Sequence, residues 1–181
     1  MAKRIQKKEG LRIRLVNVLI FLLVFNLLSI PLYIALYTNF SFEPLKQINA
    51  EIVSATLRLF GFVSHSEDSI VDIATNNGTQ KIEISWDSTG WKSMYAVAAL
   101  ILATPAVNIS KKLKAALVSV GIIFAVNFLR ITTTILISAT FGFKLFDIVH
   151  TVLWREGLIL AVIAVWVAWM RMEKYKIWKI K

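Results

Sequence analysis

Ser88, Arg130 and His150 are the side chains of this sequence whose types and places allow chemistry in common. Arg130 stands in a run, residues 115–141, that is otherwise almost wholly apolar (AALVSVGIIFAVNFLRITTTILISATF). A run of that length crosses a bilayer, and an arginine at such depth costs about 3 kcal/mol or more. Guanidinium stays protonated under ordinary conditions, so the charge must be paired or used. Asn127, Thr134 and Ser138 recur with it on one helical face, a polar stripe expected to point into a bundle rather than into lipid. At about 1.5 Å per residue, Arg130 lies roughly 22 Å from the start of its run, in the outer third. Ser88 precedes another apolar run, between Trp86 and Trp91, and His150 opens a further one just past Asp147. Topology alone therefore brings a hydroxyl, a guanidinium and an imidazole to one depth, near one membrane interface. Each also has a plain structural reading. Histidines cap helix ends, Ser-Thr pairs start helices, and an intramembrane arginine can serve only to pair with a carboxylate or carbonyls.

The elements that must position these groups follow from apolar periodicity. Residues 15–37, 91–107, 115–141 and 148–170 form four runs of about 17–27 residues, each long enough to cross or nearly cross a bilayer. Pro31 is expected to kink the first, which reads as a retained span rather than a cleaved leader. Residues 39–90 form an external insert with structure of its own. Leu45, Ile48, Ile52, Ala55, Leu59 and Phe62 follow helical spacing and predict an amphipathic helix over residues 45–62, lying along the membrane or roofing the bundle. Residues 69–74 and 79–86 read as strands joined around Asn77-Gly78. Ile82, Ile84 and Trp86 are expected to share one face of the second. Ala96, Ala99, Ala103 and Ala106, and likewise Gly157, Ala161, Ala164 and Ala168, make small faces on which helices approach closely. The fold class is an all-α polytopic membrane bundle with about four transmembrane helices, an external amphipathic helix and a small external β-hairpin. It forms one integral-membrane domain over residues 1–181.

The net charge is +10, from 21 Lys/Arg against 11 Asp/Glu, but its distribution argues against nucleic acid as a partner. Fourteen of the basic residues fall in residues 3–14, 111–114 and 171–181, while residues 39–90 hold seven acids and three bases. That is the positive-inside pattern. Both termini and the Lys111 loop are expected in the cytoplasm, and the 39–90 insert outside. There is no cysteine, which excludes a disulfide, a thiolate metal site and a cysteine nucleophile in this chain. No cofactor or metal site is read from the sequence. His65 has no partner pattern. Asn39-Phe40-Ser41 and Asn77-Gly78-Thr79 fit the N-glycosylation triplet, a common pattern.

Taken in order, several segments resemble the exosortase/archaeosortase family of membrane-embedded cysteine transpeptidases. They are Leu59-Phe60-Gly61-Phe62 before an external hairpin, then Ser88-Thr89-Gly90-Trp91 heading a span. Asn127-Phe128-Leu129-Arg130-Ile131 follows in the next span, and His150 with Gly157 seven residues on completes the set. The resemblance covers about residues 57–170, and the compact size is more like the archaeal branch. It implies a sorting protease. Such an enzyme recognises a carboxy-terminal signal of short motif, transmembrane helix and basic tail, cleaves near the outer membrane surface, and passes the new terminus to a membrane lipid or other anchor. By position, Ser88 matches the family's nucleophilic cysteine, Arg130 its arginine and His150 its histidine. Serine is the departure. Three explanations stay open: a cysteine deliberately exchanged, a native serine nucleophile whose His150 is oriented by Asp147 or Asp87, or a pseudoenzyme that binds sorting helices without cutting them. A small transporter subunit, with Arg130 lining an anion path, is the remaining alternative.

Overall fold

The computed structural model describes residues 2–75, 78–141 and 155–173. Helix α1 (Ala2–Tyr37) is followed by α2 (Glu43–Leu59), strands β1 (Ser64–Glu67), β2 (Ile70–Thr75) and β3 (Gly78–Glu83), and a single 3-10 turn (Trp86–Thr89). Helices α3 (Trp91–Ala103), α4 (Ile109–Phe141) and α5 (Arg155–Met172) complete the described chain.

Among the described residues, two helices combine the length and apolarity of a full crossing: Glu9–Tyr37 and Ile109–Thr140. Helix α3 is apolar but has 13 residues, about 20 Å against a hydrocarbon core of about 30 Å. It stops at Ala103, short of the expected residue 107, because Thr104 precedes Pro105 and takes an extended backbone that the proline ring favours. Short as it is, α3 sits at the centre of the bundle. The Tyr95 hydroxyl donates to the Leu28 carbonyl of α1 at 2.6 Å, and Trp166 Nε1 of α5 donates to Thr104 Oγ1 at 3.2 Å. Phe21 of α1 stacks on Trp166 at 5.7 Å. Val97, Ile101, Ala116, Ile123, Leu158 and Val162 form the bundle core. At the Lys111 end, Lys111 pairs with Glu173 at 3.0 Å. The fourth expected run begins inside residues 142–154, outside the described residues; its remainder is α5.

A second core lies at the other end of α4. There α2 and the sheet roof the helix, burying Ala50, Val53, Leu57, Val71, Ile73 and Ile84 against Ile131 and Ile135. Helix α2 starts with Pro44 in its first turn and stops two residues before Gly61, φ +86°. There the Phe62 N–H reaches back to the Leu57 carbonyl at 3.1 Å and the Gly61 N–H to Arg58 at 3.0 Å. That left-handed cap suits glycine and clamps Phe62 over Leu57.

Two expectations for the insert change. The apolar stripe read from the sequence is not the buried face of α2: Ile48, Ile52 and Leu59 are exposed. The chain buries Asn49, Ala50, Val53, Ser54 and Leu57 instead, because the helix carries apolar residues around most of its circumference. The hairpin is a three-stranded antiparallel sheet in the order β1-β2-β3. Glu67 pairs with Ile70 across Asp68-Ser69, with Asp68 at φ +52°, a conformation that Asp tolerates in tight hairpins. Strand β3 ends at Glu83 rather than Trp86, and Gly78 pairs with Thr75, so Gly78 is a strand residue. Ile84 is buried and Ile82 packs beside it. Trp86 leaves that face to stack on Trp91 at 5.1 Å.

Candidate active site

Position 88 is set by two sharp local features. Ser85 caps the 3-10 turn, accepting from the Ser88 N–H at 3.3 Å. Gly90, at φ +77° and ψ 9°, then reverses the chain into α3. An L side chain is costly in that region, and here it would also collide: a Cβ on Gly90 would lie 2.6 Å from Asn127 Cγ. Glycine is required twice over at this position. The turn exposes part of Ser88 and buries Thr89 completely, with Thr89 Oγ1 donating to the Trp86 carbonyl at 2.7 Å.

Helix α4 brings the polar stripe to this turn. Asn127, Thr134 and Ser138 are buried and Arg130 is partly buried, so the stripe faces protein, as expected. Asn127 Nδ2 donates to the Ser88 carbonyl at 2.9 Å. One turn further on, Arg130 and Ser88 line the same narrow cleft, of about 60 Å³, with Ile82 and Glu83 of the sheet end and Thr134 and Ile135 of α4. The structure therefore brings two of the three expected site residues together. His150 lies outside the described residues, as does Asp147.

The charge in this cleft is exposed to few partners. Arg130 Nε is buried without a hydrogen-bond partner among the described residues, and no ion pair forms to the guanidinium within that set. A buried donor left unmet is destabilising; a cation in this state is poised for an anionic or developing negative group brought from elsewhere. Ser88 Oγ lies 2.8 Å from Ser85 Oγ, a hydroxyl partner that is too weak a base to activate it. Asp87, offered above as an acid for His150, pairs with Lys92 at 2.8 Å on the surface. Among the described residues, no group of three or more His, Asp or Glu side chains is placed to hold a metal ion.

Residues 11–169 match the family described as transmembrane exosortase, 159 of the chain's 181 residues. The chain belongs to the transmembrane exosortase family. No curated protein and no solved structure gives a significant match. The exosortase match takes in positions 88, 130 and 150 together, so the cleft of Ser88 and Arg130 falls within the shared region.

Two contributors to this cleft have no part assigned from the sequence. Ser85 stands three residues before Ser88, the spacing of a helix-capping hydroxyl. Asn127 was visible as one member of the stripe. Its bond to a carbonyl 39 residues away has no signature in sequence spacing.

Proposed function

We propose that this exosortase-family chain is a sorting protease and transpeptidase. It recognises a carboxy-terminal signal composed of a short motif, a transmembrane helix and a basic tail, cleaves it at the outer membrane surface, and transfers the protein to a lipid or other cell-surface acceptor. In this reading the chain crosses the membrane about four times with both termini in the cytoplasm, α3 crossing as a short helix, and the roof of α2 and sheet lies outside. The observation that carries the reading is the shared cleft of Ser88 and Arg130, formed where the roof meets α4. The residue-88 nucleophile attacks the scissile carbonyl and gives up its proton to His150. Arg130 holds the oxyanion of the tetrahedral intermediate. His150 then protonates the leaving amine, and an acceptor nucleophile resolves the acyl-enzyme.

Serine at position 88 supports a second reading. Its hydroxyl faces Ser85, and a hydroxyl is far less readily ionised than a thiol, so a site suited to a thiolate would bind sorting helices without cutting them. One experiment separates the two. The chain and its Ser88→Cys form are each co-expressed with a protein bearing a carboxy-terminal sorting signal, and processing is followed as a mobility shift. The enzyme reading expects processing by the cysteine form, falling about 10²-fold or more on Arg130→Ala or His150→Ala. Signal helices that co-purify with both forms and are cut by neither would establish the binder in its place.

A further inference from the structure

Asn127 does more than belong to a polar stripe. Its side chain is fully buried in the middle of an apolar helix, yet it bonds neither its own helix nor a neighbouring side chain. It donates at 2.9 Å to the main-chain carbonyl of Ser88, a contact that does not depend on which side chain residue 88 carries. Gly90 presses on the same amide: a Cβ there would stand 2.6 Å from Asn127 Cγ and 2.9 Å from both Cβ and Oδ1. The segment Ser88-Thr89-Gly90 thus grips the amide with no slack. Asn127 Oδ1 is buried and has no partner among the described residues, a destabilising state that contributes nothing to the helix itself. Arg130 is three residues on, about 4.5 Å along the axis, and shares the cleft with Ser88. One helix therefore meets residue 88 twice, at its backbone through Asn127 and across the cleft through Arg130.

We propose that Asn127 is a positioning residue: it fixes the backbone of residue 88 against α4 and thereby sets how far the residue-88 side chain stands from the Arg130 guanidinium. It takes no proton and carries no charge. The inference rests on the proposed function only in taking the residue-88 side chain as the nucleophile, and its main test needs no turnover.

The test uses the Ser88→Cys chain, whose new thiol is its sole cysteine. The rate of alkylation by iodoacetamide, followed against pH, titrates that thiol. A cation held nearby keeps a thiol below its ordinary range, so Arg130→Gln is expected to raise the midpoint by about one unit. Asn127→Leu, which keeps the branched outline of the side chain and removes the donor, is expected to raise it in the same direction, and to add nothing once Arg130→Gln is present. A neutral side chain that moves a titration only while the cation is there acts on placement; a merely structural role would leave the midpoint where it was. The inference is overturned by an unmoved midpoint in folded Asn127→Leu, or by an equal shift with and without Arg130. If Asn127→Leu does not fold, Asn127→Ala takes its place. It removes the same donor without added bulk, should raise the midpoint in the same direction and should add nothing once Arg130→Gln is present; an unmoved midpoint or an equal shift without Arg130 overturns the inference. An unmoved midpoint in Arg130→Gln overturns it together with the arginine's part in the site. Failure to process a sorting substrate, with the coupled shifts intact, counts against the sorting reading alone.

Discussion

The roof core and the bundle core are both apolar, but different forces hold them. The roof buries Leu57, Val53, Val71 and Ile73 beneath a sheet whose other positions include Asp72, Lys81 and Glu83. In the topology proposed above, water is the environment these apolar groups escape, so burial itself drives assembly. The bundle core, with Val97, Ile101, Ile123 and Leu158, has lipid as its alternative environment, as apolar as the core. Close packing and a few interhelical hydrogen bonds must do the work there. Helix α4 serves both, with Ile123 in the bundle core and Ile131 and Ile135 in the roof core. Asn127 and Arg130 fall between them. A cation can persist on a membrane-crossing helix when it is set at the seam of two cores, shielded from lipid by one and from bulk water by the other.

Truncating matched leucines is the strongest way to break this contrast. Leu57→Ala in the roof removes a fully buried side chain and is expected to cost about 2–5 kcal/mol. Leu158→Ala in the bundle core loses contacts and leaves a cavity, but the transfer contribution from water is missing. It is expected to cost about 2 kcal/mol less. Reversible unfolding in mixed micelles measures both, and equal losses would mean that the two cores are held alike.

The same contrast explains what the sequence made legible. Arg130 and its stripe could be read because a charge in an apolar run has few explanations, and the burial of Asn127, Thr134 and Ser138 matches that reading. The head of α3 could be read from Ser88-Thr89-Gly90, since capping residues and glycine act locally. The buried face of α2 could not. Periodicity finds apolar stripes, but in a membrane protein an apolar stripe has two possible neighbours. Leu59 is 87% exposed and Leu57 fully buried two residues earlier, and nothing in their chemistry separates them. Strand β1 was hidden for another reason. Ser64-His65-Ser66-Glu67 has no apolar alternation and is held by main-chain pairing to β2. The join between Ser88 and Asn127 was out of reach because it links elements 39 residues apart.

A smaller effect sharpens the account of the bundle. Tyr95→Phe removes the hydroxyl that reaches the Leu28 carbonyl, three residues before Pro31, and leaves the ring in place. Interhelical hydrogen bonds in lipid average about 0.6 kcal/mol, so the loss in unfolding free energy should be of that order. A loss of several kcal/mol would show that polar bonding, rather than packing, holds α1 to α3.

The smallest expected effect lies at the surface of the seam. Asp87 and Lys92 pair at 2.8 Å, with side chains 71% and 43% exposed, and an exposed pair of this kind contributes from nothing to about 1 kcal/mol. Asp87→Asn should therefore leave stability within about 0.5 kcal/mol and, in the Ser88→Cys chain, leave substrate processing within about threefold. Arg130→Ala, in the cleft itself, should lower that processing about 10²-fold or more. The outcome matters because Asp87 is, with Asp147, one of the two carboxylates offered from the sequence to orient His150 for a serine nucleophile. A collapse of processing in Asp87→Asn, with the fold intact, would take Asp87 out of its pairing with Lys92 and into the catalytic arrangement. An unchanged rate leaves Asp147, and Glu83 at the cleft, as acids that a serine mechanism could call on.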